Sequence, residues 1–245
     1  MAAHLEGKGV TLLDVTGLAQ KNGAVASHIR VAGDPRALHS TRISPGSADL
    51  VLGCDIVVST GHDGMQKLSA SRTHAIVNTH VAPIADFALS PDLDFSSTEM
   101  ESALEAAVGT DSIDFMDATG LATALLGDSI GANLFLVGFA LQKGLIPVGL
   151  ASLERAIELN GRSIDMNKRA LAWGRLAAHD RARVEARSKS LRPASAGPRT
   201  AETLEEIVAR RVQFLKDYQD EKYANRYVEL VDRVASAEQA ISPDG

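Results

Sequence analysis

The residues best equipped for polar chemistry lie in two short stretches. The first is Gln20-Lys21-Asn22-Gly23, followed by Ser27, His28 and Arg30. Lys21 and Arg30 offer cationic donors to a phosphate or carboxylate, and Gly23 permits positive φ and close backbone approach. Together they would form a polar ligand groove or an inter-subunit groove. The same residue types also make an ordinary surface turn with a satisfied histidine on a strand, and side-chain chemistry alone favours that second reading. The other stretch is Asn78-Thr79-His80, at the expected end of a strand and beside Asp117 and Thr119. That is where the switch-point crevice of an open α/β sheet would lie. Strand ends are polar in any α/β fold, so this pattern too has a plain structural explanation.

Other chemistries find less support. Cys54 is the single cysteine and sits at an expected strand-to-helix turn, where a helix dipole would lower its pKa; a buried, inert thiol fits as well. One thiol forms no internal disulfide and cannot hold an iron–sulfur cluster, which takes about four thiolates. His62 with Asp63, His74 and His80 lack the spacing of a zinc site. Gly7-Lys8-Gly9 precedes a strand instead of following one, and its third glycine is missing. It is therefore no dinucleotide fingerprint, and no Walker A sequence occurs.

The elements that must position these residues alternate between strand and helix, as in a largely parallel sheet covered by helices. Met1–Glu6 reads as the tail of a helix closed by Gly7. Val10–Val15 reads as a buried parallel strand, and Ala24–Ala32, Ala48–Leu52, Thr73–Asn78 and Ser112–Ala118 as further strands. The segment after Cys54 has β-like propensity, yet Asp55 is a good N-cap and Val58, Met65 and Leu68 continue a helical stripe. It is expected to be helix. Val81–Ser97, with two prolines, reads as a long functional loop. Glu99–Val108, Leu121–Leu126, Ala132–Lys143, Ser152–Asn160 and Asp165–His179 read as helices. Gly131, Ala132 and Gly138 would let another helix approach closely, within the chain or across a subunit interface. Ser188–Thr200 has linker composition, and Ala201–Ala240 is a charged, amphipathic helix or hairpin with no partner in its own segment.

Composition bounds the rest. The 245 residues are 45% hydrophobic, which suits one globular core with an appendage. A net charge of −6 disfavours a nucleic-acid surface. Arginines crowd Arg162–Arg211 while acids dominate the middle, a distribution that suits docking within or between subunits. No apolar run approaches the roughly 18 residues of a membrane span, and no signal peptide opens the chain. A reducing cytoplasm is the expected location.

Several stretches together resemble the γ domain of 2-oxoacid:ferredoxin oxidoreductases of the fused indolepyruvate type. They are GKGVTLLDVTGLAQKNGAVASHIRVA, ADLVLGCDIVVS, AIVNTH, FMDATGLATALLGDSIGANLFLVGFALQKGLIP, AIELNGRSIDMNKRALAWGR and FLKDYQDEKYANRYVELV, in the family's order from Gly7 to about Val231. Asn22 stands where the family usually has the first of two glycines; asparagine is the other residue that tolerates the left-handed conformation. The resemblance implies a Rossmann-like γ-type domain over 1–185, a linker over 186–200 and the start of a helical domain over 201–245. It also implies that the family's first strand and Gly-rich turn are missing at the front, so the chain is expected to be a fragment. By the same resemblance the holoenzyme converts a 2-oxoacid to an acyl-CoA and passes electrons to ferredoxin, using thiamine diphosphate, iron–sulfur clusters and coenzyme A. This chain would bind none of these alone and would carry no catalytic or metal-ligating residue. It would pack on the thiamine-binding portions, with Lys21, Gly23, Ser27, His28, Arg30 and Asn78 as coenzyme A or interface candidates. A non-catalytic interaction module, or an inactive fragment, is the alternative of a different class.

Overall fold

The run His74-Ala75-Ile76-Val77-Asn78 is apolar in its interior with no alternation, as a strand buried on both faces must be. In the computed structural model, which describes residues 1–16, 24–81, 97–191 and 203–241, it is the central strand of a parallel sheet. The elements of that sheet are β3 (Leu50–Gly53), β4 (His74–Asn78) and β5 (Ile113–Met116), in that spatial order. Residues of β4 alternate between two cores. Ala75 and Val77 pack with Ile56, Leu104 and Val108, from α2 (Ile56–Thr60) and α4 (Ser97–Val108). Ile76 points the other way, into a cluster with Leu121, Leu125, Phe135, Leu136 and Phe139. Those residues belong to α5 (Ala118–Leu126) and α6 (Ala132–Gln142). Helices therefore cover both faces, and the α/β class is the observed one.

The tightest packing lies between α6 and α8 (Ile164–His179). A Cβ on Gly138 would collide with the Leu171 carbonyl, and a Cβ on Gly174 with the Phe135 carbonyl. Each helix thus presents a glycine to the other's backbone. The small-residue signal at Gly138 is spent inside the chain, against a glycine the sequence reading passed over.

Two expectations need correction. The first strand is neither buried nor parallel. β1 (Gly9–Thr16) pairs antiparallel with β2 (Val25–Ala32) in a separate two-stranded ribbon. The physical reason is length: the eight residues between them are too few for a parallel crossover, which takes about a dozen or more. The 186–200 linker also begins too early. α9 (Arg181–Leu191) runs on through Leu191 and packs against α5 and α8, burying Val184 and Ser188 one turn apart. Ser188 gave the segment linker composition, but a small side chain is what that contact admits.

Met1–Arg192 forms one compact unit and Pro193–Gly245 another. In the second, α10 (Leu204–Tyr218) and α11 (Glu221–Ile241) make a hairpin, opened by a Thr203–Glu206 capping box. Ala224 is buried between them, while Phe214, Leu230 and Val234 stay exposed.

At the front of the first unit, α1 (Ala2–Leu5) ends at Glu6, with Gly7 left-handed behind it. One oxygen of Glu6 accepts the Gly149 N–H at 2.6 Å, at the start of α7 (Leu150–Asn160). The other accepts from Lys8 Nζ at 2.7 Å. A carboxylate distant in sequence thus caps α7, in place of the side-chain cap that Gly149 cannot supply. The Lys8 hydrogen bond, then the Gly149 and Ser152 hydrogen bonds, bring the Glu6 carboxyl from 4.5 down to about 2. Its stabilisation is complete above the ordinary value and is lost as the pH falls from 4.5 to about 2. Glu6→Gln should remove that part of the acid dependence in urea melts at stepped pH; an unchanged profile would refute the cap.

Gly174→Ala gives a second test. Alanine in a helix interior normally gains about 1 kcal/mol over glycine, whereas this one must push two backbones apart at a cost of roughly 1–3 kcal/mol. A thermal melt should show a lower midpoint; a raised one would show that the crossing has room.

Candidate functional site

Polar groups gather at the carboxyl ends of the three parallel strands. β3 finishes in Gly53-Cys54-Asp55, where a side chain on Gly53 would strike Ser59. Asp55 then turns the chain into α2, its Oδ1 accepting the Val57 N–H at 2.8 Å and the Val58 N–H at 3.3 Å. This cap overrides the β-like propensity of Ile56-Val57-Val58. β5 ends in Asp117, whose Oδ1 accepts the Gly120 N–H at 2.7 Å and starts α5.

Asn78, at the end of the central strand and 3% exposed, joins both turns. Its Nδ2 donates to the Cys54 carbonyl at 3.0 Å and to Thr119 Oγ1 at 2.8 Å. Its Oδ1 accepts from the Thr119 and His80 N–H groups at 3.3 and 3.4 Å. Both ends of a buried amide are satisfied, as burial requires. Outside Asn78, His80 Nδ1 stands 4.0 Å from Asp117 Oδ1, both about half exposed. The arrangement can grip a polar group at its rim. It contains no nucleophile aligned with a base.

Cys54 corrects one expectation. The protein around it, and then the neighbouring Asp55 carboxylate, push its thiol up rather than down, although part of the side chain is exposed. α2 spans five residues, too short a dipole to reverse that.

The first stretch proposed from sequence lies elsewhere. Ser27, His28 and Arg30 belong to β2 in the ribbon, so the parallel sheet does not join them to Asn78. Ser27 Oγ donates to Asp14 at 2.6 Å, and Arg30 Nη1 lies 3.5 Å from the Arg42 carbonyl. His28 is buried and its Nδ1 accepts the Ile43 N–H at 3.1 Å, the satisfied strand histidine that plain chemistry favoured. Lys21 and Gly23 lie outside the described residues, as does most of Val81–Ser97. His74 bonds Asp114 and His62 bonds Gln66. Among the described residues no group of three or more His, Cys, Asp or Glu could hold a metal ion, and no helix is long and apolar enough to cross a membrane. Sequence reasoning missed the Cys54 carbonyl as a partner, because a backbone group leaves no trace in residue type.

Residues 1–177 match the pyruvate ferredoxin/flavodoxin oxidoreductase family, and residues 204–244 match a family of unknown function. The chain belongs to the pyruvate ferredoxin/flavodoxin oxidoreductase family. More particularly, it is similar to indolepyruvate oxidoreductase subunit IorB of Methanothermobacter thermautotrophicus. The two are 29% identical over 175 residues, spanning 71% of this chain and 84% of that protein. The gamma subunit of a keto/oxoacid ferredoxin oxidoreductase from Geobacter sulfurreducens superposes with a TM-score of 0.46 and 14% identity. That alignment covers 73% of this chain and 85% of the other.

Asn78→Ala would strand the Cys54 carbonyl and the Thr119 groups, a loss of about 1–3 kcal/mol. Urea denaturation should show it, with Asn78→Asp no better because its carboxylate has no N–H to offer. Full stability in both variants would contradict the bridging role.

Proposed function

We propose that this chain is the γ-type component of a 2-oxoacid:ferredoxin oxidoreductase acting on indolepyruvate or a related 2-oxoacid. In that reaction the 2-oxoacid is oxidatively decarboxylated to an acyl-CoA and the electrons pass to ferredoxin. The chain is a scaffold that works only with thiamine- and cluster-bearing partners. Family membership and the similarity to an indolepyruvate oxidoreductase subunit support this reading.

The residues present do not fit the holoenzyme's cofactors. One cysteine, its thiol pushed up, is the opposite of a four-thiolate cluster site. Coenzyme A, Lys21 and Gly23 keep the roles the resemblance implies, as parts of this proposal.

The observation that carries the scaffold role is the ribbon. Cross-strand partners point to one face, so Val10 and Val31, Leu12 and Ile29, and Thr16 and Val25 share a side. Leu12 is 59% exposed, Ile29 56% and Val25 58%. A strand pair with such a face is apt for a partner's surface. Burying what remains of Leu12 and Ile29 would contribute roughly 1–2 kcal/mol each.

The test co-expresses the full chain with the thiamine- and cluster-bearing portions. Leu12→Asp with Ile29→Asp should abolish co-purification and cut 2-oxoacid-dependent ferredoxin reduction at least tenfold, while circular dichroism stays unchanged. Association that survives both changes would move the interface elsewhere. Turnover of a 2-oxoacid by the isolated chain would overturn the scaffold reading.

A further inference from the structure

Behind the ribbon, two loops meet to form a pocket of about 370 Å³ lined by Ser40, Arg42, Ile43, Ser44, Gln66 and Lys67. That volume lies near the lower end for small-molecule sites, larger than one inorganic anion needs. The walls are fixed from three sides. Gly46, left-handed at φ +64, donates its N–H to the Gln66 carbonyl at 2.8 Å, and Ala48 donates to the Lys67 carbonyl at 3.3 Å. The Ile43 N–H is held by His28, which hooks the loop to β2. The backbone of these loops is therefore held in place before any ligand arrives.

The pocket carries two cations. Lys8, Arg36, Arg72, Lys143, Lys168 and Lys216 each hold a carboxylate within 3.0 Å. Arg42 and Lys67 have no carboxylate ion pair among the described residues, yet they converge on one pocket in a chain of net charge −6. Their field reaches His28: after desolvation, Lys67 and then Arg42 hold its titration below the ordinary value, and the opposing Asp63 carboxylate acts more weakly than either. A guanidinium fork and an ammonium, with the Ser44 hydroxyl and the Gln66 amide beside them, match an anion of about two charges and several acceptor oxygens. A phosphate monoester has that form. A single carboxylate would leave one cation unanswered.

We propose that Arg42, Ser44, Gln66 and Lys67 bind the phosphate group of a phosphorylated small molecule, whose remaining part occupies the rest of the pocket. This assignment does not depend on the redox role proposed above.

Nuclear magnetic resonance titration of the full chain tests it, with the His28 imidazole signals as the reporter. Inorganic phosphate at constant ionic strength, with chloride as the balancing ion, should shift those signals saturably. Phenyl phosphate should compete, and benzoate should not. Arg42→Gln and Lys67→Gln should each weaken phosphate at least about tenfold, Arg42→Lys less, and Arg36→Gln outside the pocket not at all. Circular dichroism confirms that each variant is folded. Unsaturable shifts, benzoate binding as well as phenyl phosphate, or undiminished binding by the Arg42→Gln/Lys67→Gln double variant would each overturn the proposal.

Discussion

A single buried amide carries the geometry of the sheet's working edge. Asn78 closes the central strand and holds the Cys54 turn with its N–H groups, while bonding to Thr119 at both ends of the amide. The strand ladder and the Asp55 and Asp117 caps set each turn, and four hydrogen bonds on the Asn78 side chain tie the two turns together. An amide suits this place because it donates and accepts in one plane and carries no charge to desolvate. At the rim, the His80 backbone is tied to that junction, while Asp55 and Asp117 are held by the helix starts they cap.

The apolar layers beneath the edge explain why it is rigid. β4 sends alternate residues into two separate cores, so shifting it would disturb both at once. Under one of those cores, the mutual glycine contact of α6 and α8 brings two backbones together with no side chain to yield. The ribbon, by contrast, contributes no strand to the sheet and presents apolar residues to solvent. The packed core and the exposed apolar residues thus lie in different parts of the first unit.

Much of this was legible in the sequence, and the reasons are specific. The apolar run of β4 announced a strand, and Asp55 correctly outweighed the β-branched residues after it, because a cap satisfies two N–H groups that propensity cannot. The pairing of Asn78 with Thr119 was expected from strand-end position alone. What stayed hidden involved distance or backbone. An apolar strand looks the same whether parallel or antiparallel, although the short link between β1 and β2 held the answer. Gly174 is one glycine in an ordinary amphipathic helix until its partner is known. Arg42 and Lys67 stand twenty-five positions apart, with nothing in either neighbourhood to mark them.

The Glu6 cap has a consequence for biosynthesis. The N–H that it caps belongs to Gly149, 143 residues further along. At about 5–20 residues per second, a ribosome needs roughly 7–30 s to make that stretch. Throughout that interval Glu6 waits without its final contact, and α7 finds its cap already made when it emerges. Completion of the first unit therefore couples two segments made far apart in time, so that a nascent chain released before residue 149 lacks the latch altogether.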